Sequence, residues 1–124
     1  LKRAQNILRK KKLILKLYQK HLKYSPVQFQ HVHRTNTSSN WMVTIVLNDG
    51  FSNVALMKYL LNLGIDSRPL FYPIHTMPPY KVDVIYNVAE DLNSRGLSLP
   101  SYPQLTSSDI KYICSSIKDY FNII

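Results

Sequence analysis

In the opening segment LKRAQNILRKKKLILKLYQKHLKY one apolar series runs through Ala4, Ile7, Leu8, Leu15, Tyr18 and Leu22. Most steps are three or four, with one longer step across Lys11 and Lys12. That spacing predicts a long amphipathic helix with one buried stripe. Lys10, Lys11, Lys12, Lys16, Lys20 and Lys23 occupy much of the remaining surface. The helical pattern starts at the first residue with no capping side chain before it, so the natural polypeptide is expected to continue upstream. Ser25-Pro26 ends the helix, because proline drives its predecessor out of the α region.

The pattern then changes period. VQFQHVHR alternates weakly and predicts a short strand. TNTSSN is a loop, and WMVTIVL, residues 41–47, is dense in β-branched and aromatic residues and predicts a buried core strand that includes Trp41. NDG is a turn. Ser52 caps a second helix whose apolar face is Val54, Leu56, Met57, Leu60 and Leu61, with Gly64 as its stop. IDSRPLFY reads as extended. Tyr86 to Arg95 predicts a short helix stopped by Gly96, and LSLP a short strand. Thr106 and Asp109 form a capping box with Asp in the Glu position. It opens a final helix to about Phe121, with Ile110, Ile113, Cys114, Ile117 and Phe121 inward. These elements predict an α+β fold, a short, mainly antiparallel sheet with helices packed on one face, and no internal repeat.

Length and composition narrow the class. A chain of 124 residues suits one domain, spanning residues 1–124, and 45% hydrophobic residues suffice for a packed core. No apolar run approaches the roughly 20 residues that span a bilayer. A signal-peptide core is also missing. The single cysteine, Cys114, excludes an internal disulfide and reads as a buried helix thiol, so a reducing cytoplasm is the expected compartment.

Charge is uneven. Ten of the sixteen Lys and Arg residues precede the first acid, Asp49, so residues 1–48 carry +10; six bases against seven acids leave −1 for the rest. Such asymmetry fits a helix that uses Lys as its default polar residue, or an arm for nucleic acid or membrane. A phosphate-backbone patch would need a second basic element or interleaved aromatics, and only His31, His33 and Arg34 follow nearby. A stand-alone basic module binding nucleic acid through residues 1–34 is therefore the alternative reading, and a pure protein-interaction domain a third.

Catalytic patterns are missing. The three glycines stand at element ends and form no phosphate loop. His31 and His33 have no third metal ligand near them. No Ser-His-Asp or Cys-His arrangement is visible. One stretch stands out: SRPLFYPIHTMPPY, residues 67–80, holds four of the seven prolines. Pro69 cannot donate a ladder hydrogen bond, so this strand is expected at an edge. Arg68, Leu70 and Tyr72 share one face of an extended chain, and His75 has the opposite parity. A bend at Pro73 is needed to bring His75 round.

GIDSRPLFYPIH, continued by MPPY and YNVAEDLNSRGLSLPSYPQLTSSDI, resembles the C-terminal domain of the DegT/DnrJ/EryC1/StrS aminotransferases, which depend on pyridoxal phosphate and act on sugars. The family's landmarks fall on Tyr18 and Leu22, Trp41–Leu47, Gly64-Ile65, Pro73-Ile74-His75, Ala89–Arg95, Leu97–Pro100, Leu105-Thr106 and Asp109-Ile110. The order matches over essentially the whole chain. Thr76-Met77 replaces a Gln common after the histidine, and Tyr102 replaces a His common after the Leu-Pro pair.

The resemblance implies that the Schiff-base lysine, the acid facing the pyridine nitrogen and the phosphate cup belong to a large N-terminal domain. Lys81 follows Pro-Pro-Tyr without an activating neighbour and is no substitute. The chain is then expected to be the separated C-terminal small domain, binding no cofactor and inactive alone. In the intact enzyme, a homodimer, pyridoxal phosphate would move an amino group from glutamate to a keto-sugar nucleotide, for amino-sugar, cell-surface polysaccharide or antibiotic biosynthesis. No specific nucleic acid and no membrane would take part. Arg68 would grip a phosphate, His75 would donate to a sugar or phosphate oxygen, and Tyr72 would stand beside them. The competing structural roles are an Arg68–Asp66 pair and a packed His75.

Overall fold

The computed structural model describes residues 3–123. Helix α1 runs Ala4–His21; the start of its sequence pattern at residues 1 and 2 lies outside the described residues. Strand β1 is Val27–Phe29, β2 is Val43–Leu47, and helix α2 is Asn53–Asn62. Strand β3, Arg68–Pro69, leads into two 3-10 turns at Ile74–Thr76 and Pro78–Tyr80. Helix α3, Asn87–Arg95, feeds directly into β4, Gly96–Leu99, and α4 is Ser107–Ile123.

The four strands form one sheet in the order β1-β2-β4-β3, with every neighbouring pair antiparallel. Val43, Ile45 and Leu47 of β2 alternate inward, level with Leu99 and Leu97 of β4. They meet Ile14, Tyr18 and Leu22 from α1, Leu56 and Leu60 from α2, and the inner face of α4 in one buried cluster. The α+β expectation, with an antiparallel sheet and helices on one face, describes this arrangement. α3 stands apart, with no buried residue.

Local chemistry accounts for the helix ends. Ser52 Oγ accepts from the Ala55 backbone N–H at 3.2 Å. Gly64, at φ +74°, closes α2: its N–H reaches Leu61 O at 3.0 Å and the Ile65 N–H reaches Leu60 O at 2.9 Å. That is a Schellman cap, and Ile65 and Leu60 are both buried against it. At α4 the Thr106 N–H donates to Asp109 Oδ2 at 2.8 Å and the Asp109 N–H to Thr106 Oγ1 at 3.2 Å, the reciprocal pair of a capping box. The Thr106 hydroxyl, donating to Asp109 Oδ2 at 2.7 Å, and then the Thr106 N–H hold the Asp109 carboxyl below its ordinary range. Cys114 is buried and unpaired, and burial pushes its thiol up to about 12.

Three expectations need correction. On α1 the buried side chains are Ile14 and Tyr18, followed by Leu22 at its C-cap, while Ala4, Ile7 and Leu8 are exposed. An 18-residue helix is about 27 Å long, whereas a five-residue strand spans only about 17 Å. The first turns of α1 therefore overhang the sheet. On α2, Asn53, Leu56 and Leu60 face inward, and Val54 and Leu61 lie one residue round the helix, exposed. Buried Asn53 is satisfied by donating to Asn93 O at 3.2 Å and Gly96 O at 3.0 Å. Trp41 is outside the core, 64% exposed and two residues before β2. Its would-be pairing runs past Pro100, which follows the Val43–Leu99 pair and has no N–H to extend the ladder.

Candidate functional site

β3 is a sheet edge, as Pro69 requires: Arg68 pairs with Ser98 and Pro69 with Leu97. Beyond it the chain presses on α3 and β4. A Cβ on Gly96 would come 2.5 Å from Leu92 O and collide with the Leu70 side chain. This glycine therefore serves close approach, since its own φ of −90° suits any residue. Asn93 Nδ2 donates to Leu70 O at 3.2 Å and to Phe71 O at 3.0 Å.

The bend expected at Pro73 is present. Pro73 opens the first 3-10 turn, and Thr76 Oγ1 donates back to Pro73 O at 2.8 Å. His75, only 8% exposed, donates from Nε2 to Glu90 Oε1 at 2.9 Å, and its ring lies 4.7 Å from that of Tyr86. The Val82 N–H reaches His75 O at 3.3 Å. Residues 70–82 thus form an arm fastened to α3 by Asn93 and Glu90. Its prolines leave the unfolded chain less freedom to lose.

The three candidate residues divide. Arg68 and Tyr72 line one groove of about 580 Å³, with Ser98 from β4, Met42 just before β2, and Leu70, Phe71 and Met77 from the arm. His75 is not in that groove; it is folded behind the arm against α3. Arg68 pairs with Asp66 at 2.8 Å, and its side chain is 77% exposed. Such an exposed pair is worth about 0–1 kcal/mol, so an anion in the groove can compete for the guanidinium. Trp41, displaced from the core, stacks on Phe71 with ring centroids 6.3 Å apart. Phe71, Tyr72, Ile74, Tyr80, Ile85 and Val88 are all exposed, an apolar surface of the kind that marks an interaction site.

Glu90 and Asn93 were not among the residues singled out from sequence. Their three-residue spacing puts them on one face of α3, but nothing local names their partners. Arg95 is a third such residue. It forks onto Asp91, pairs with Asp49 at 3.0 Å, and donates to Leu47 O at 2.7 Å. The Asp91–Arg95 bonds hold the Asp91 carboxyl below its usual range.

Among the described residues no lysine has Schiff-base surroundings. Lys81 is exposed. Lys11 Nζ donates to Trp41 O at 2.6 Å and Ser101 O at 2.5 Å, the bonding of an ammonium group, although partial burial draws its pKa down. Among the described residues none fits a covalent anchor for pyridoxal phosphate. Among the described residues there is no cluster of three His, Cys, Asp or Glu able to hold a metal, and no helix is long and apolar enough to cross a membrane.

The sequence profile of the DegT/DnrJ/EryC1/StrS aminotransferase family matches residues 1–118. The GDP-perosamine synthase of Vibrio cholerae is 35% identical over 129 residues, a match covering 100% of this chain and 35% of that protein. The aminotransferase TlmJ from Streptoalloteichus hindustanus superposes with a TM-score of 0.90, at 18% identity, over 99% of this chain and 34% of its own. Helicobacter pylori PseC, an aminotransferase involved in the biosynthesis of pseudoaminic acid, gives 0.86 at 23% identity, over 100% of this chain and 35% of its own. At these identities the two structures establish the fold. The chain spans about a third of the length of each of these relatives.

Proposed function

Because the chain belongs to the DegT/DnrJ/EryC1/StrS aminotransferase family, we propose that it is the substrate-side small domain of a pyridoxal-phosphate-dependent sugar aminotransferase. The acceptor is a keto-sugar nucleotide, GDP-linked by analogy with the Vibrio cholerae relative, and the donor is glutamate. The observation that carries this reading is the groove in which Arg68, from β3, meets Tyr72 of the stiff, apolar arm. Arg68 takes a phosphate oxygen of the nucleotide through its planar fork. Tyr72 lies along the sugar. His75 serves from behind, holding the arm through Glu90 so that Arg68 and Tyr72 keep their places. Pyridoxal phosphate supplies the electron sink, and its anchoring lysine belongs to the rest of the intact enzyme. The exposed apolar side chains of the arm are covered there, by the large domain and by the second subunit of a homodimer.

A chimera tests this. The chain replaces the matching segment of the Vibrio cholerae GDP-perosamine synthase, and amino transfer from glutamate to a GDP-linked keto sugar is measured. The reading expects activity, and a ten- to hundredfold lower kcat/KM for Arg68→Ala, since a lost charge-assisted hydrogen bond costs about 1.5–3 kcal/mol and about 1.4 kcal/mol is one decade. The isolated Arg68→Ala chain should melt like the parent, the side chain being exposed. A folded chimera that holds pyridoxal phosphate yet transfers nothing overturns the domain's role. One that is active and indifferent to Arg68→Ala removes Arg68 from the site.

A further inference from the structure

Lys12 and Lys16 stand one turn apart on the same face of α1 and therefore repel each other. Opposite them runs the segment from Phe29 to Asn40. Between the two lies an open groove of about 570 Å³, with both lysines on one wall and His31, Thr37 and Ser38 on the other. Small-molecule sites commonly enclose about 300–1,000 Å³. Leu15, Phe29 and Val32 supply apolar lining. No lining residue is acidic, and the first carboxylate in the chain is Asp49. Among the described residues neither lysine makes an ion pair. The loop wall is ordered from within: the Asn40 N–H donates to Ser38 Oγ at 3.1 Å, and Asn40 adopts a left-handed φ of 50°.

We infer that this groove binds a phosphorylated small molecule. A cation would add to the repulsion between Lys12 and Lys16, and a neutral ligand would leave it in place; an anion between them removes it. Lys ammonium groups act on phosphate as compact point charges with rotatable donors, and the Thr37 and Ser38 hydroxyls supply further donors to phosphate oxygens. The apolar lining accepts the organic part of the ligand. None of these residues lines the Arg68–Tyr72 groove, so the assignment stands independently of the proposed aminotransferase role.

Inorganic pyrophosphate is the probe, titrated calorimetrically into the chain at about physiological salt. Two double variants remove the same charge from α1 and its end: Lys12→Gln with Lys16→Gln inside the groove, and Lys20→Gln with Lys23→Gln outside it. Single-site saturation is expected. The groove pair should weaken binding about tenfold or more, as loss of charge-assisted contacts does. The outer pair should weaken it less than about threefold, because screening at this salt limits distant charges. Lys12→Arg with Lys16→Arg should retain binding. Equal weakening by the two Gln pairs would overturn the inference, since the basic charge would then act diffusely. So would failure of pyrophosphate to saturate while a DNA or RNA duplex binds.

Discussion

Gly96→Ala separates two reasons for which a fold needs glycine. At Gly96 the backbone is ordinary, with φ −90°, but an added Cβ meets Leu92 O at 2.5 Å as well as the Leu70 side chain. The side chain can rotate; the carbonyl belongs to the last turn of α3 and cannot. Overpacking of this kind costs about 1–3 kcal/mol. Gly64 is the opposite case, with φ +74° and nothing within 4 Å of an added Cβ. There the cost is the left-handed conformation alone, about 1 kcal/mol. At about 4 °C per kcal/mol for a chain of this size, Gly96→Ala should lower Tm by about 4–12 °C and Gly64→Ala by about 4 °C. Circular dichroism at increasing temperature measures both. Because Leu70 and Phe71 hang from Asn93 beside Gly96, the Gly96 variant should also change the emission of the sole tryptophan, Trp41, which stacks on Phe71. Gly64→Ala should leave that emission alone. A Gly96→Ala chain that melts with the parent and emits like it would refute the close-approach argument.

Trp41→Ala should change stability by no more than about 0.5 kcal/mol, as an exposed side chain does, whereas Ile45→Ala, wholly buried in β2, should lose about 2–5 kcal/mol; urea titration of the two variants compares them, and a Trp41 loss as large as that of Ile45 would put Trp41 back in the core. The Asp109 carboxyl is held below its ordinary value of 3.8 by its Thr106 bonds. A depressed carboxyl contributes stability above its unfolded pKa and loses it as pH falls through the folded value. The Tm advantage of the parent over Asp109→Asn should accordingly shrink between about pH 5 and about pH 2, and an advantage that is constant or grows toward acid would contradict the capping role.

What the sequence makes legible here is what is decided within a few residues. Ser52, the Gly64 stop and the Thr106–Asp109 box mark helix ends because their partners lie within a turn of them. Pro69 predicts an edge strand because its own missing N–H forbids a central one. Arg68 and Tyr72 line one groove, but so do Pro69 and Phe71 of the opposite parity, so strand alternation does not sort this segment. What is illegible is decided by a distant partner. Trp41 has the composition of its strand, but the strand's limit is set by Pro100, across the ladder from Met42. His75 is an exposed-looking residue in a proline-rich segment until Glu90, fifteen residues on, claims its Nε2. The inward stripe of α1 is misplaced because sheet length, not helix periodicity, decides which turns find something to cover.

The same distinction bears on how the arm at residues 70–82 works. It is held by polar contacts to α3, from Asn93 to two carbonyls and from His75 to Glu90, and not by burial of its own apolar side chains in the core. Fixing an arm by hydrophobic packing would consume the side chains that it carries. Fixing it through backbone carbonyls and one buried histidine leaves Phe71, Tyr72, Ile74 and Tyr80 exposed, on a backbone that prolines have already stiffened. An apolar surface left uncovered and yet kept in one shape costs little to order when another surface closes on it, because its conformational entropy has been lost in folding. The proline-rich stretch at residues 67–80, too stiff for a central strand and too apolar for a solvent loop, has the composition that such preorganisation requires.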